Sequence, residues 1–539
     1  MGFRKAFLFN LLILLFPSLE ARKIYVSSEL GNDHNEGSSL KDALKSIQYA
    51  ASVSQPDDTI LIAGGNYRSN SKNLINIIHS GTKDKWITFK NLDSNRPVLF
   101  VSNEAAISIN YASYIQIEGL EITIDPEFIT KNKNPEMLNN LTSKGNGIQI
   151  ERSRDPAYLS HHIKIKSNYI HDCPGNGIDI FSADYIEISY NQIQANGNFS
   201  ISSNCGIRMQ FLTAFDYEVK DHISIISNLI SNHRPSGTLA KVNNSCEENY
   251  GASGIVIRNN RFDQLQALKV AYVLPIRIAN NVIYLNGGQA IDIFETNAIQ
   301  IINNTTYQNN QNEESLCGEL QINKSKDCNV YNNIFYTRLK MNGSSVSNYE
   351  SINFKNNLYG NTNIFFKGEK DLNEDPMFTR TDLHAGIFDF ELRPKSPAIN
   401  TGINEIIEPF DFYGSRRVVT GHVDLGAFEY TGNLPKPRDQ EQARLDKRHM
   451  TVSWQLTYAQ GTGQILILNS KGDFFSAKLY NNLGILINKI QDINGAKRGI
   501  EFDVSALPSG LYFVFAYSET DKVATKYFVK NQFANLLNR

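Results

Sequence analysis

The sequence has 539 residues, of which 41% are hydrophobic and 20% are charged. This balance excludes a chain that is disordered along its whole length and fits one long domain with a smaller one. The formal net charge of -2 excludes a globally basic protein that holds nucleic acid by charge, so we expect no nucleic-acid partner.

The N-terminus has the pattern of a secretory signal peptide. Arg4 and Lys5 precede an apolar stretch over residues 6–16, and the segment ends in the small residue Ala21. This order is typical of signal peptides, and the stretch is shorter than a membrane span requires. We therefore predict a signal peptide over residues 1–21, the alternative being an N-terminal anchor or a buried helix. No later segment is apolar enough to cross a bilayer, so we expect no transmembrane helix after cleavage.

The next periodic element is helical. Apolar residues recur at helical spacing within residues 40–54, namely Leu40, Ala43, Leu44, Ile47 and Ala50. A stack of repeated units leaves an open end that must be covered. We predict that this helix is the N-terminal cap of such a stack.

A short pattern then recurs through the middle of the chain: a β-former, any residue, a second β-former, two residues and an Asn. The recurring residues are Asn168, Asn191, Asn228, Asn260, Asn281, Asn304, Asn333 and Asn357. The shortest steps between them are 21 to 24 residues, which fits three short strands with turns, and longer steps imply inserted loops. At a sharp turn, Asn tolerates left-handed backbone angles and bonds its neighbours. We predict a hydrogen-bonded Asn ladder inside a stack of coils.

A second strand lies out of phase with the first and alternates apolar and polar residues. It recurs at residues 147–150, 177–180, 206–209, 290–293 and 319–322. Because side chains alternate between the two faces of a strand, one polar residue in each segment points outward. The predicted outward column is Gln149, Asp179, Arg208, Val256, Asp292 and Gln321.

Both ends of this region resemble secreted bacterial right-handed parallel β-helix proteins of the pectate-lyase-like kind. Residues 23–68 are similar to their opening segment, with a strand, a Gly-Asn-Asp loop, a cap helix and a strand beginning near Asp58. Residues 375–400, 411–417 and 423–430 are similar to their closing segment. The resemblance implies a parallel β-helix over residues 22–430 and a role in handling polysaccharides.

The C-terminal part differs in pattern. Residues 431–450 are polar and charged, with two prolines, and we interpret them as a linker. Residues 451–539 return to strand-like alternation and resemble the C-terminal sorting domain of the type IX secretion system, through the segments 476–490, 500–517 and 522–530. The alternative is a generic accessory β-sandwich. The full expected fold is all-β: a right-handed parallel β-helix with an N-terminal cap helix, followed by a small β-sandwich.

The resemblance to a sorting domain implies a partner and a location. It implies passage through the type IX secretion machinery and a protein that is secreted, extracellular or held on the outer cell surface. We further expect a monomer.

Five cysteines follow the signal peptide, namely Cys173, Cys205, Cys246, Cys317 and Cys328. Export permits disulfides, and an odd number leaves at least one thiol unpaired. Proximity in sequence favours a bond between Cys317 and Cys328. The alternative is that these thiols pack as small buried hydrophobes.

The sharpest hypothesis for chemistry is a lyase that cleaves a uronate-containing polysaccharide by β-elimination. Such a reaction needs a base and a cation that neutralises the carboxylate beside the departing proton. We assign Asp179 and Asp184 to bind Ca²⁺, Arg208 to neutralise the substrate carboxylate, and Arg258 or Lys269 to act as base.

Further residues complete the predicted site. His171 with Asp172 is another candidate acid–base pair, for which a structural turn role is the alternative. Gln149, Asp292 and Gln321 are expected to bind substrate. Apart from Ca²⁺, we expect no cofactor.

Two other functions stay open. A glycoside hydrolase would need two carboxylates flanking the bond, which Asp179 with Asp184, or Asp292 with Glu295, could supply. A non-catalytic adhesin or glycan-binding protein would show no convergent acid–base cluster.

Overall fold

The structure is a computed structural model. It describes residues 21–101, 103–125, 145–151, 158–197, 204–233, 251–261, 271–311, 317–339, 341–383, 387–419 and 421–432. In the C-terminal part it describes residues 454–459, 464–469, 474–481, 486–491, 499–504, 507, 510–518 and 524–530. The predicted signal peptide before Ala21 and most of the predicted linker lie outside the described residues.

Most of the described chain consists of short strands. In chain order, the strands before residue 200 are β1 (Lys23–Val26), β2 (Thr59–Ile62), β3 (Gly65–Tyr67), β4 (Asn73–Ile77), β5 (Ile87–Asn91), β6 (Pro97–Val101), β7 (Ala105–Ile109), β8 (Ile115–Glu118), β9 (Glu121–Ile124), β10 (Asn146–Ile150), β11 (Ser160–Lys166), β12 (Tyr169–His171), β13 (Ile178–Phe181), β14 (Ala183–Ser189) and β15 (Gln192–Gln194). They continue with β16 (Ile207–Gln210), β17 (Ile223–Ile226), β18 (Leu229–Ser231), β19 (Ile255–Arg258), β20 (Ile276–Ala279), β21 (Val282–Tyr284), β22 (Ile291–Phe294), β23 (Asn297–Ile302), β24 (Thr305–Tyr307), β25 (Leu320–Asn323), β26 (Lys326–Tyr331), β27 (Ile334–Tyr336), β28 (Ser344–Ser347), β29 (Glu350–Lys355) and β30 (Leu358–Gly360).

These strands form three long parallel sheets, as expected for a right-handed parallel β-helix. Sheet 1 has the order β1-β2-β5-β8-β11-β14-β17-β20-β23-β26-β29. Sheet 2 has the order β3-β6-β9-β12-β15-β18-β21-β24-β27-β30, and sheet 3 has the order β4-β7-β10-β13-β16-β19-β22-β25-β28. Each coil visits sheets 1, 2 and 3 in turn, which confirms the predicted fold.

The core is a set of aliphatic columns inside the coils. Ile186 of β14, Ile223 of β17 and Ile276 of β20 are register partners in successive coils, and each is at most 1% exposed. Full burial of such a side chain contributes about 1.5–3 kcal/mol. Since each coil buries its interior only against its neighbours, stacking of the columns stabilises the solenoid.

The predicted Asn ladder is present at the turn from sheet 1 to sheet 2. Asn191 Nδ2 donates to Asn228 Oδ1 at 3.0 Å, and Asn228 Nδ2 donates to Asn281 Oδ1 at 3.0 Å. The ladder also includes Asn168, Asn304, Asn333 and Asn357. The expected left-handed backbone belongs to the residue before each ladder Asn, such as Ser227 with a φ of 55°. The ladder residue itself turns its amide inward.

The prediction that Asn260 belongs to this ladder is wrong. It follows β19 of sheet 3, where its Nδ2 donates to Thr296 Oγ1 at 3.1 Å. Its Oδ1 accepts from the backbone N–H of Leu212 at 2.8 Å. The sequence pattern is the same because both turns need a polar side chain that bonds to the next coil.

A second internal ladder lies at the turn from sheet 2 to sheet 3. The backbone N–H of Asn196 donates to His233 Nδ1, that of His233 donates to Asn286 Oδ1, and Asn286 Nδ2 donates to Asn309 Oδ1. The ladder ends at Glu319, which accepts from Asn309 Nδ2 at 2.7 Å and from its backbone N–H at 2.8 Å.

The buried end of this ladder predicts a pH dependence of stability. Burial raises the pKa of Glu319 to about 7, although its hydrogen bonds to Asn309 act in the opposite direction. Below about pH 4.5, Glu319 is protonated in both the folded and the unfolded protein, and its burial has no electrostatic cost. As the pH rises from there through 7, the unfolded chain ionises more easily than the folded one, so the free energy of unfolding falls by about 3 kcal/mol. We expect Glu319→Gln to remove that loss.

Urea unfolding of the wild type and of Glu319→Gln at pH 5 and pH 8 measures this effect. The difference between the two proteins isolates Glu319 from other titrating groups. Parallel loss of stability in both proteins between these pH values would contradict the assignment.

The N-terminal cap is present, but its helix is shorter than expected. Residues 40–54 contain a 3-10 turn, Leu40–Asp42, and a helix α1, Ile47–Val53. The Asp33 carboxylate accepts from the backbone N–H groups of Lys45 and Ser46, and this interrupts the helix. Ser46 then accepts from the N–H of Tyr49 as the cap of α1.

The closing segment covers the outer face of sheet 2. It contains the antiparallel pair β31 (Phe378–Asp382) and β32 (Ile387–Leu392). Phe388 and Phe390 pack against Tyr284 and Tyr307, which are outward residues of sheet 2. Because this face is occupied along these coils, the outer face of sheet 3 is the better candidate for binding another molecule.

The C-terminal part forms a small antiparallel β-sandwich. One sheet contains β33 (Trp454–Ala459), β34 (Gln464–Asn469) and β37 (Gly499–Asp503), and the other contains β35 (Phe474–Asn481), β36 (Leu486–Gln491), β38 (Gly510–Ser518) and β39 (Ala524–Lys530). Within the described residues, no helix has the length and apolar character needed to span a membrane.

The expected disulfide between Cys317 and Cys328 is wrong. Cys317 is disulfide-bonded, whereas Cys328 is a free and buried thiol. Cys328 lies in β26 and points into the aliphatic core beside Ile299, its register partner. It therefore packs as a small hydrophobe, as the alternative interpretation proposed.

Candidate active site

The predicted outward column is a continuous row on sheet 3. The register pairs Gln149 with Asp179, Asp179 with Arg208, and then continues through Val256, Asp292 and Gln321. Neighbouring strands lie about 4.8 Å apart, so these residues, separated by up to 172 positions in sequence (321 minus 149), form one surface. This part of the prediction rested on strand periodicity alone.

Two Asp–Arg ion pairs dominate the row. Arg208 binds Asp179 through both carboxylate oxygens, with Nε–Oδ1 and Nη2–Oδ2 distances of 2.8 Å each. Arg258 Nε donates to Asp292 Oδ2 at 2.6 Å. A bidentate pair fixes the plane of the guanidinium, so Asp179 orients Arg208.

The two pairs differ in exposure. The Arg208 side chain is 20% exposed, whereas the Arg258 side chain is 6% exposed and Asp292 is fully buried. Arg208 is therefore the cation of this row that a ligand on the outer face can reach.

Asp292 is the most perturbed carboxylate of the row. Burial raises its pKa above the ordinary value, while the charge and hydrogen bond of Arg258 act in the opposite direction. Its Oδ1 is buried and makes no hydrogen bond with the described residues. Since Asp292 has no exposed surface, its expected direct role in substrate binding is replaced by a role in holding Arg258.

Aromatic and amide groups flank the ion pairs. The Arg208 guanidinium lies 5.5 Å from the ring centre of Phe181, and that of Arg258 lies 4.9 Å from the ring centre of Phe294. Both rings belong to an Ile-Asp-Ile-Phe segment, which occurs in β13 and again in β22. The outer face thus combines aromatic rings with a few charged groups, a combination that is common in ligand-binding sites.

The two amide residues of the row bind their neighbours. Gln149 Nε2 donates to Ser108 Oγ and to Glu151 Oε1. Gln321 Oε1 accepts from Gln289 Nε2 at 2.9 Å, and Gln321 is 3% exposed. Gln149 is half-buried and accessible from the outer face, whereas Gln321 is covered.

The two predicted Ca²⁺ ligands do not share a site. Asp184 lies in β14 of sheet 1, where it accepts from His222 Nδ1 at 2.9 Å and from the Tyr272 hydroxyl at 2.7 Å. Both oxygens of Asp179 already bind Arg208. Across the described ranges, no group of three His, Cys, Asp or Glu side chains is arranged to hold a metal ion. These residues do not fit a shared Ca²⁺ site because Asp179 lies on sheet 3 and Asp184, beyond the turn at Ser182, lies on sheet 1.

His171 lies on sheet 2, away from the row. Its Nδ1 is 2.8 Å from Asp172 Oδ2, and its Nε2 is 3.2 Å from Glu121 Oε1. Burial alone would lower its pKa, but these two carboxylates raise the pKa to about 9. His171 is thus a cation at neutral pH, held in an ion-pair network rather than available as a base.

Of the two candidate bases, the structure describes Arg258 and does not describe Lys269. Arg258 donates to Asp292 and so acts as a held cation, which is unsuited to accepting a proton. Lys269 lies outside the described residues, in the connection from β19 of sheet 3 to β20 of sheet 1.

The two carboxylate pairs considered for hydrolysis differ in placement. Asp179 lies in β13 of sheet 3 and binds Arg208, whereas Asp184 lies in β14 of sheet 1 and is fully buried. Asp292 is fully buried and binds Arg258, whereas Glu295 follows β22 at a turn, 4.0 Å from Lys324 Nζ. An inverting or retaining hydrolase would need both carboxylates of a pair to reach the substrate, about 5–10 Å apart.

Sequence reasoning missed a cluster of rings at the edge between sheets 3 and 1. The rings of Tyr114, His162, Tyr185 and His222 stack in order, with centre distances of 4.6, 4.2 and 4.0 Å. Their signal in the sequence is an aromatic residue or His just before or at the start of sheet 1 strands in successive coils. Irregular spacing between those coils hid this pattern.

Comparison with known families identifies the C-terminal domain. Residues 461–530 match the family described as secretion system C-terminal sorting domain, whereas no curated protein matches the chain. In fold, the chain is similar to pectate lyase Pel9A, at 16% identity and a TM-score of 0.45, over 76% of this chain and 96% of that chain.

Two further solved structures share the likeness in fold. One is a rhamnogalacturonan lyase, at 14% identity and a TM-score of 0.36, over 62% of this chain and 87% of that chain. The other is a lacto-N-biosidase from Eubacterium ramulus, at 14% identity and a TM-score of 0.33, over 66% and 68% of the two chains. Its own three parallel sheets make the chain a parallel β-helix protein, and the match over residues 461–530 gives it a type IX secretion sorting domain, which directs it to the extracellular space or the cell surface.

Proposed function

We propose that this exported protein binds a uronate-containing polysaccharide along the outer face of sheet 3 and cleaves it by β-elimination. The observation that carries the proposal is Arg208, a partly exposed cation that Asp179 orients in the middle of a polar row. A repeating row on stacked strands suits an extended polymer, because successive sugars can meet successive coils. Export by the sorting domain supports a substrate outside the cell.

The reaction would use Arg208 as the carboxylate-neutralising group. A base removes the proton at C5 of the uronate, beside the carboxylate, and negative charge builds up on that carboxylate. The C5–H electrons form a C4–C5 double bond, the C4–O bond breaks, and the departing oxygen takes up a proton. A cation aimed at the developing charge lowers the barrier of the first step.

Lys269 is our proposed base. Arg258 is held by Asp292 and supplies a second positive charge beside Arg208. A lysine acts as a base through its neutral amine, which a lowered pKa would favour. Lys269→Ala is expected to abolish elimination, and Lys324→Ala, which removes a lysine 5.0 Å from the ring centre of Phe294, is the control.

Ca²⁺ dependence is a separate part of the proposal. The described carboxylates do not form a calcium-ligand set, so no step of the mechanism depends on the ion.

A screen against pectin, alginate, chondroitin and rhamnogalacturonan tests the function. We expect absorbance near 235 nm to rise with one of them, since only elimination leaves an unsaturated uronate. New reducing ends without that absorbance would favour a glycoside hydrolase. Retention of a polymer without cleavage would favour a non-catalytic glycan-binding protein, and repeating the assay with chelator tests for Ca²⁺.

A further inference from the structure

We infer that the edge between sheets 3 and 1 carries a second saccharide-binding subsite, formed by His161, His162 and the exposed ring of Phe215. It would hold a sugar by its hydroxyl groups and its apolar face. This inference rests on the proposed function, because it assigns a second contact to the same polymer.

The two imidazoles form an unusual hydrogen bond. His161 Nδ1 and His162 Nδ1 are 2.7 Å apart, so one nitrogen carries the proton and the other accepts it. The ring that donates through Nδ1 therefore has a bare Nε2, and the ring that accepts has a protonated Nε2. The pair thus presents one acceptor and one donor side by side.

Nothing in the described part of the chain uses these two outer nitrogens. The only hydrogen bond that either imidazole makes there is the one between them. Both residues are half-buried, so part of the pair is exposed to a ligand on the outer surface. A donor next to an acceptor matches the hydroxyl groups of a sugar, each of which can both donate and accept.

An apolar wall stands beside the pair. Phe215 stacks on His161 with ring centres 3.8 Å apart, and its side chain remains 47% exposed. The backbone N–H of Phe215 donates to Asp184 Oδ2 at 2.7 Å, which fixes the ring at this place. The second imidazole of the pair, His162, lies between the rings of Tyr114 and Tyr185. The pair and its wall are therefore positioned before a ligand arrives.

The imidazoles of His161 and His162 are uncharged at neutral pH because their pKa values are lowered. Burial lowers the pKa of His161 to about 4, and the neighbouring charge of His162 acts in the same direction. Burial also lowers the pKa of His162, as does the charge of Lys220, while Asp184 and Asp216 oppose this. Both rings are thus uncharged at neutral pH and keep the donor–acceptor arrangement.

The location links this subsite to the candidate active site. His161 is the second residue of β11, which follows β10 with Gln149, and Phe215 follows β16 with Arg208. The same coils therefore carry both features on adjacent faces. A polymer that crosses the edge from sheet 3 to sheet 1 would meet both.

Affinity electrophoresis of the full secreted chain in gels containing pectin, alginate, chondroitin or rhamnogalacturonan tests the inference. Phe215→Ala removes the exposed wall, and His162→Phe keeps the ring stack but removes the nitrogens. We expect each variant to weaken retention at least about fivefold on a polymer that retards the wild type, consistent with loss of one stacked or hydrogen-bonded contact. Val219→Ala, a fully exposed change in the same connection, is the control and should bind as the wild type does.

The outcomes separate this inference from the proposed function. Unchanged retention of both variants would overturn the subsite and leave the lyase proposal standing. Lack of retention of the wild type on all four polymers would also overturn the subsite. Weakened retention of the variants with no absorbance at 235 nm would support the subsite while the lyase proposal fails. Thermal unfolding of each variant verifies that it is folded.

Discussion

Arg208→Ala is expected to lower the rate of elimination by about 100-fold or more, the usual effect of removing a group that stabilises developing negative charge. The reason is geometric: Asp179 holds the guanidinium by two hydrogen bonds and leaves part of it exposed on the outer face of sheet 3. Arg208→Lys keeps the charge but loses the bidentate geometry, so it should recover part of the rate. Initial rates at 235 nm measure both effects.

Arg277→Ala provides the matched control for this substitution. Arg277 also forms an ion pair through its Nε, with Asp221 at 2.6 Å, and is 17% exposed, but it lies on sheet 1. It should lose similar structural contacts and retain activity. Equal losses of rate in the two variants would mean that Arg208 acts through stability alone, and thermal unfolding of both variants would then show the same shift.

Asn228→Ala is expected to destabilise the β-helix by about 3 kcal/mol, because several buried backbone groups lose their partner at once. Its Nδ2 donates to Ile188 O at 2.9 Å and to Asn281 Oδ1, and its Oδ1 accepts from both nitrogens of Asn191. Alanine satisfies none of these groups, and a buried group without a partner is costly.

Urea unfolding of Asn228→Ala against Ser224→Ala measures this cost. Ser224 lies in β17, four residues earlier, on the partly exposed outer face of sheet 1. The control should change stability by less than about 0.5 kcal/mol, as substitutions away from buried networks do. Equal stability of the two variants would contradict a structural role for the Asn ladder.

The periodic parts of the molecule could be predicted from the sequence. The alternation of Ile with polar residues predicts that the polar residues of β13, β16 and β22 point outward. The row from Gln149 to Gln321 could therefore be predicted. The Asn ladder followed from its recurrence, although its phase relative to the turn did not. Asn260 was misassigned because turns of two different sheets share the same local chemistry.

The parts that depend on neighbours in space could not be predicted. No periodicity shows that Asp179 turns to Arg208 while Asp292 turns back to Arg258, since both lie in an Ile-Asp-Ile-Phe segment. The separation of Asp184 from Asp179 depends on the turn at Ser182, whose φ is 45°. The pairing of Cys317 depends on loops whose lengths follow no repeat.

Mass spectrometry of the cleavage products tests the central claim most directly. Elimination breaks the C4–O bond without adding water, so we predict products with an unsaturated non-reducing end that are lighter by one water molecule than the saturated oligosaccharides of the same length. Products that have all gained one water at the cleaved bond, and so are all saturated, would contradict elimination and identify the protein as a hydrolase.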